Sequence, residues 1–84
     1  MPDGYTYALA EAASEYAFRL PRREQRRLAK VCRLLADTPH RLGAYSTTDE
    51  VGRVLQNLTV DDWVITFWTD HAVKEVRIVE VLQI

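Results

Sequence analysis

The sequence has 84 residues, which is enough for one domain and leaves little room for a second. Its hydrophobic fraction of 48% and its charged fraction of 27% are typical of a globular domain and exclude a disordered or collagen-like chain. The net charge of −1 hides an asymmetry, since residues 19–33 hold seven basic residues and one acid, whereas the rest holds four basic and eleven acidic residues. We therefore treat residues 1–84 as a single domain whose basic segment indicates a charged partner.

The scarcity of cysteine, histidine and long apolar segments argues against a disulfide, a metal site and a membrane location. The single cysteine, Cys32, rules out an intrachain disulfide and a multi-cysteine zinc site. His40 and His71 are far apart and lack the flanking ligands of a metal site, so we expect no metal and no cofactor. No apolar run approaches the ~18 residues of a membrane span, and the first residues lack the basic segment of a secretory signal. The expectation is a cytoplasmic protein with no membrane partner.

The first half of the chain predicts one short strand followed by two helices. Residues 5–9 are aromatic-rich, which favours a strand, and residues 10–19 are rich in helix formers. Leu20-Pro21 interrupts the helical segment, because the residue before a proline is disfavoured in helical geometry. Pro21 suits the first turn of a second helix, which is predicted over residues 21–37.

The second predicted helix is amphipathic. At the ~100° step of a helix its apolar side chains fall on one side, which should pack on a sheet. We assign to that side Leu28, Val31, Cys32, Leu34 and Leu35. The other side is a basic stripe, in which the candidate RNA-binding residues are Arg23, Arg26, Lys30 and Arg33. The stripe could neutralise phosphates or could simply be the solvated face of the helix, and the sequence leaves both interpretations open.

The second half of the chain predicts a loop and three strands. Residues 40–52 have no steady period and hold two glycines, so we predict a loop, and loops of this length are uncommon unless they are functional. Runs of β-branched and aromatic residues predict strands over residues 53–60, 63–69 and 74–84. The order β-α-α-β-β-β indicates an α+β fold, with a two-helix hairpin packed on a mainly antiparallel four-stranded sheet.

Two tryptophans and two arginines in the predicted strands are candidate functional residues. Trp63 and Trp68 have opposite parity, so they should project from opposite faces of the sheet, and one of them can lie outside the core. Arg53 and Arg77 could form a phosphate clamp, since each guanidinium offers a planar fork of donors. From the residues alone, pairing of each arginine with a nearby acid such as Glu75 is the favoured alternative.

Three loose motifs follow one another along the chain. The first is a helical pattern that comprises Ala13, Tyr16, Leu20-Pro21, Arg26-Arg27 and Leu34-Leu35-Ala36-Asp37-Thr38-Pro39. The second, at the start of a strand, is Gly52-Arg53. The third is a strand pair that comprises Ile65, Phe67-Trp68, Asp70-His71, Lys74 and Val76-Arg77-Ile78. In this order and spacing, residues 5–82 resemble the RelE/ParE superfamily of toxins from type II toxin–antitoxin modules.

The resemblance implies a small α+β toxin that inhibits growth and is neutralised by a cognate antitoxin wrapped around it. RelE-like members cut ribosome-bound mRNA by attack of a 2′-hydroxyl on the adjacent phosphate, whereas ParE-like members inhibit DNA gyrase and are not nucleases. The nuclease branch uses basic side chains of two strands, which correspond here to Arg53 and Arg77. The nuclease branch often adds lysines before the first of these strands and a tyrosine, sometimes with a histidine, near the C-terminus. In this sequence residues 40–52 contain no lysine, and residues 78–84 contain no tyrosine and no histidine.

Three functions remain open. The first is a ribosome-dependent mRNA endoribonuclease with a reduced or atypical active site. Its catalytic candidates are Arg53, Arg77, His71 and Tyr45, and Arg41 joins the basic stripe in binding RNA. The second is a non-enzymatic gyrase inhibitor, and the third is a catalytically silent member that only binds an antitoxin. The matching partners are an antitoxin together with either the ribosome and mRNA or DNA gyrase.

Overall fold

The computed structural model describes residues 4–84, and within this range it contains two helices and five strands. The helices are α1 (Glu11–Arg19) and α2 (Arg22–Asp37). The strands are β1 (Thr6–Leu9), β2 (Tyr45–Thr48), β3 (Val54–Val60), β4 (Trp63–Asp70) and β5 (Glu75–Gln83). They form one sheet in the order β1-β5-β4-β3-β2, in which β1 runs parallel to β5 and the other neighbours are antiparallel. The predicted α+β class, with two helices and a mainly antiparallel sheet, is therefore confirmed.

The prediction of a loop over residues 40–52 is wrong in its middle, where β2 forms an edge of the sheet. β2 pairs with β3, so that Tyr45 lies opposite Asn57 and Thr48 lies opposite Val54. The side chains of β2 are all exposed, and the strand therefore has no apolar alternation to signal it. The sheet described over residues 4–84 has five strands rather than the predicted four because hydrophobic patterning does not detect a polar edge strand.

Local chemistry ends both helices where the sequence predicts. α1 stops before Leu20-Pro21, whose backbone is extended with ψ angles of 149° and 152°. The backbone N–H and the hydroxyl group of Thr38 both donate to the carbonyl oxygen of Leu34, at 3.1 and 2.8 Å, and so close the last turn of α2. Neither helix in the described range is long and apolar enough to cross a membrane.

The core lies between the two helices and one face of the sheet, which we call the helix face. The strands contribute Trp63, Ile65, Phe67, Val76, Ile78 and Val81, and the helices contribute Ala13, Leu28, Val31, Cys32, Leu35 and Ala36. Leu34 was predicted on the buried side of α2 but is 51% exposed, and Ala36 is buried instead. At ~100° per residue, Leu34 lies about 60° beyond Val31 toward the basic stripe, which explains the difference.

A β-bulge in β5 decides which side chains reach the other face of the sheet, which we call the open face. The register between β4 and β5 shifts after Thr66, and Val79 is left as an extra residue. In a regular strand Val81 would lie on the same face as Arg77, four residues earlier. Because of the bulge it lies on the helix face instead, where it is buried. The bulge thus leaves Arg77 on the open face without Val81 beside it.

Candidate functional site

Arg53, Trp68 and Arg77 lie together on the open face, at one end of the sheet. The guanidinium carbon of Arg53 is 4.1 Å from the centroid of the Trp68 ring, and that of Arg77 is 5.5 Å from it. Trp68 is on β4, which lies between β3 and β5 and so between the two arginines. Both arginines therefore lie on the face of the sheet opposite the helices, as a phosphate clamp requires. The opposite orientation of the two tryptophans is confirmed, because Trp63 is in the core.

The turn before β3 positions Arg53. Asp49 Oδ1 accepts hydrogen bonds from the backbone N–H groups of Val51 and Arg53, at 3.0 and 2.8 Å. Gly52 lies between them with a φ of 83°, a left-handed conformation that glycine adopts without a steric penalty. The Gly-Arg motif therefore has a physical basis, since the glycine permits the turn and the carboxylate holds the arginine backbone.

Each arginine of the site is also paired with a carboxylate. Arg77 Nε lies 3.0 Å from Glu75 Oε1, and Arg53 Nη1 lies 3.5 Å from Asp49 Oδ2. The two arginine side chains are 47% and 46% exposed, so each ion pair adds only about 0–1 kcal/mol to stability. The pairing of each arginine with a nearby acid, which the residues alone favoured, therefore occurs. It coexists with the clamp arrangement, because one carboxylate does not use all five N–H donors of a guanidinium.

The arginines and Trp68 line a cleft of about 300 Å³. Residues 8–10, at the end of β1, form its opposite wall, and Val79 of the bulge and Asp49 complete it. The arrangement joins two planar donor groups to an aromatic surface. It can hold a phosphate by hydrogen bonds while a neighbouring base stacks on the indole.

Tyr45 does not reach this cleft. It lies on β2 opposite Asn57, and its side chain is 52% exposed. Asn57 is four residues along β3 from Arg53, which corresponds to about 13 Å at ~3.3 Å per residue. The structure therefore places Tyr45 on the same face of the sheet as the arginines but apart from them.

His71 and Arg41 lie in a different place, around a second cleft on the helix face. His71 is in the turn between β4 and β5, and its Nδ1 is 2.8 Å from the hydroxyl oxygen of Tyr5. The ring of His40 stacks on that of His71, with centroids 5.0 Å apart. Of the predicted catalytic set, the structure thus brings together the arginine pair and leaves His71 across the sheet from it.

The basic stripe of α2 is also on the helix side of the molecule. Arg23, Arg26 and Lys30 are exposed and make no hydrogen bond or ion pair within residues 4–84. Arg33 donates to the backbone carbonyl of Tyr5 at 2.7 Å and so ties α2 to the start of β1. The stripe and the arginine cleft therefore face in different directions, and RNA binding by the stripe stays a prediction.

Arg27, at the border of the stripe, has a structural role that the sequence did not reveal. Its guanidinium contacts the carboxylates of Glu24, Asp61 and Asp62 at 2.6 to 3.0 Å and stacks on the ring of Trp63 at 4.0 Å. Hydrogen bonds from Arg27 lower the pKa of the Glu24 and Asp62 carboxyls, and the bond to Glu24 is the main cause of the raised pKa of Arg27. This cluster fastens α2 to the turn between β3 and β4.

The sequence matches no protein-family model and no curated protein sequence. Its fold is similar to that of two solved structures. A chain of the RelBE2 toxin–antitoxin complex from Mycobacterium tuberculosis matches with a TM-score of 0.76 at 18% identity, over 96% of this chain and 99% of that chain. A chain of the archaeal RelE–RelB complex from Pyrococcus horikoshii OT3 matches with a TM-score of 0.68 at 12% identity, over 96% and 94% of the two chains. Because both likenesses extend over nearly the whole of both chains, this protein has the RelE toxin fold.

Proposed function

We propose that this chain is the toxin of a type II toxin–antitoxin module and acts in the cytoplasm as a ribosome-dependent mRNA endoribonuclease with an atypical active site. The observation on which the proposal rests is the pair of guanidiniums, Arg53 and Arg77, held over Trp68 in an open cleft. The likeness in fold to chains of two toxin–antitoxin complexes supports the same proposal.

The chemical role of the two arginines is electrostatic. When an RNA 2′-hydroxyl attacks the adjacent phosphorus and gives up its proton to water, the resulting phosphorane carries more negative charge than the phosphate. The bond to the 5′-oxygen then breaks, that oxygen takes a proton from water, and a 2′,3′-cyclic phosphate remains. Guanidiniums that are already in place stabilise this charge without reorganising, and a guanidinium does not give up its proton in a protein. Arg53 and Arg77 would therefore lower the barrier by binding the phosphorane more tightly than the phosphate.

Trp68 would act as the platform of the site. Its ring restrains both guanidiniums through cation–π contacts, each worth about 0.5–1 kcal/mol at an exposed position. The part of the ring that the arginines leave open offers a surface for a base next to the scissile phosphate. The pairing with Asp49 and Glu75 keeps the empty cleft from accumulating net charge, and a phosphate would compete with both carboxylates for the donors.

The experiment that tests the proposal maps the 5′ ends of a defined mRNA in a translating extract that contains the purified chain. Cleavage should occur in ribosome-bound mRNA and not in the free mRNA. Arg53→Ala and Arg77→Ala should each reduce it by ~10²-fold or more, the usual effect of losing one such donor. The matched control is Arg22→Ala, an exposed arginine on the helix side. Intact ribosome-bound mRNA with the unaltered chain would contradict the nuclease proposal.

A second candidate function is inhibition of DNA gyrase without nuclease activity. It is favoured by the placement of Tyr45 and His71 outside the arginine cleft, and by the lack of lysine in residues 40–52. A supercoiling assay with purified gyrase separates the two candidates. Loss of supercoiling with intact mRNA would replace the nuclease by the gyrase inhibitor, and loss of neither would indicate a member that only binds its antitoxin.

We further propose that a cognate antitoxin binds the chain through an acidic or amphipathic segment. Residues 19–33 have a charge of +6, from seven basic residues and one acid, which favours a partner of opposite sign. A ligand of the folded state raises its stability by mass action. The melting temperature should therefore rise when the product of the neighbouring gene is added, and an unchanged melting temperature would contradict this partner.

A further inference from the structure

The geometry points to a second binding site, on the helix face of the sheet, and we propose that its ligand is a nucleoside monophosphate unit. The site is a cleft of about 360 Å³ between residues 39–42 and the adjoining ends of β3 and β4. This volume lies in the range of small-ligand pockets, which is ~300–1,000 Å³. The cleft shares Trp68 with the arginine cleft but is lined by neither Arg53 nor Arg77, and the inference does not require that the chain be a nuclease.

One wall of this nucleotide cleft is a pair of parallel imidazole rings. His40 and His71 stack with ring centroids 5.0 Å apart and an angle of 13° between their planes, and both are exposed. Tyr5 fixes the pair, because its hydroxyl oxygen is 2.8 Å from His71 Nδ1 and its ring meets that of His71 edge-on at 78°. Nucleobases stack on histidine as they do on other aromatic side chains. The fixed imidazole pair therefore offers a flat surface for a base.

Arg41 and Gln56 bring N–H donors to the nucleotide cleft, and none of the described residues that line it is acidic. Gln56 Oε1 accepts a hydrogen bond from the backbone N–H of Gly43 at 2.9 Å, which orients the amide and leaves its NH₂ group available. The guanidinium of Arg41 forms no ion pair within residues 4–84, in contrast to those of Arg53 and Arg77. A cationic fork without a competing carboxylate is suited to a phosphate.

The imidazole pair and the guanidinium of Arg41 together indicate the class of ligand. An inorganic anion would satisfy Arg41 but make no use of the imidazole pair, and an uncharged aromatic compound would leave Arg41 unused. A nucleoside monophosphate has both a planar base and a phosphate group. It can exist as a free nucleotide or as one residue of single-stranded RNA, and the two sources present the same chemistry to the cleft.

The experiment titrates the purified full chain with AMP, adenosine, inorganic phosphate and the trinucleotide AAA, and follows the ring proton signals of its two histidines by NMR. His40→Ala assigns the signals. AMP should shift both signals and bind more tightly than either adenosine or phosphate. Arg41→Gln should weaken AMP binding about tenfold, as expected for loss of a charged hydrogen bond. The matched control, Arg22→Gln, removes an equal charge from α2 and should leave AMP binding unchanged.

The remaining measurements distinguish an RNA residue from a free nucleotide and define the results that would contradict the proposal. Tighter binding of AAA than of AMP would identify an RNA residue as the ligand, and equal binding would identify a free nucleotide. Arg53→Ala should leave the histidine shifts unchanged, which separates this site from the proposed nuclease site. Equal weakening by Arg22→Gln and Arg41→Gln, phosphate binding as tight as AMP binding, or histidine signals that AMP does not move would each overturn the proposal.

Discussion

Replacing Asn57 with alanine tests a polar network that is buried on the open face of the sheet. Asn57 is 4% exposed, its Oδ1 accepts a hydrogen bond from the Thr66 hydroxyl at 2.7 Å, and its Nδ2 donates to the Thr47 hydroxyl at 3.0 Å. The alanine variant leaves the buried Thr66 hydroxyl without its acceptor, at a cost of about 1–3 kcal/mol, and loses the bond to Thr47, worth about 0.5–1.5 kcal/mol. We expect a loss of about 2–4 kcal/mol in unfolding free energy, or at least ~8 °C in melting temperature for a domain of this size.

The matched control for this prediction is Thr66→Val, which removes the hydroxyl with little change in shape. In the Asn57→Ala background, Thr66→Val should restore about 1 kcal/mol or more, because no buried hydroxyl is then left without a partner. Urea unfolding of the original chain, both single variants and the double variant completes the cycle. A loss below roughly 0.5 kcal/mol for Asn57→Ala, or strictly additive effects of the two substitutions, would refute the reasoning.

Three further predictions concern a glycine, an ion-pair cluster and the thiol. Gly43→Ala should lower the unfolding free energy by more than ~1 kcal/mol in urea, because an added Cβ would collide with the backbone of β3; an unchanged midpoint would contradict this. Arg27 lowers the pKa of the Glu24 and Asp62 carboxyls below their values of 4.5 and 3.8 in the unfolded chain. The ionised carboxylates therefore stabilise the fold above pH 4.5, and this contribution is lost as the pH falls through the lowered pKa values of the folded chain. The melting temperature should thus fall between about pH 5 and pH 3, and less steeply in Arg27→Gln; equal slopes would exclude the cluster as the cause. Burial raises the pKa of Cys32 to about 11, so a thiol reagent at neutral pH should label the unfolded chain and not the folded one, and rapid labelling of the folded chain would disprove its burial.

The sequence predicts those elements of the fold that have a clear hydrophobic period or a strong local preference. α2 has one buried side, which hydrophobic patterning identified, and the β-branched and aromatic residues of β4 indicated a strand. β2 is exposed along its whole length, and it forms because the backbone of β3 offers it a hydrogen-bonding edge. The parallel pairing of β1 with β5 joins residues about 70 positions apart, which local patterning cannot detect.

The candidate site was predictable only in part, because its arrangement also depends on contacts between distant segments of the chain. The donor chemistry of Arg53 and Arg77 was enough to single them out as a candidate clamp. Their position beside Trp68 depends on the pairing of β5 with β4 and on the turn that holds Arg53, which the residues alone do not reveal. His71 follows a turn that returns the chain toward the helix face, and its neighbours there come from distant segments. Parity does not extend through a turn, which is why His71 could not be separated from the arginine pair in advance.

The most direct test of the central claim is the growth of cells that express the chain from a tightly repressed promoter. The unaltered chain and the control Arg22→Ala should stop growth, whereas Arg53→Ala and Arg77→Ala should permit it. Purified Arg53→Ala and Arg77→Ala should melt within a few degrees of the unaltered chain, because both side chains are nearly half exposed. Variants that lose a little stability and still stop growth would show that the arginines serve only as local ion-pair partners of Asp49 and Glu75, and would contradict the account.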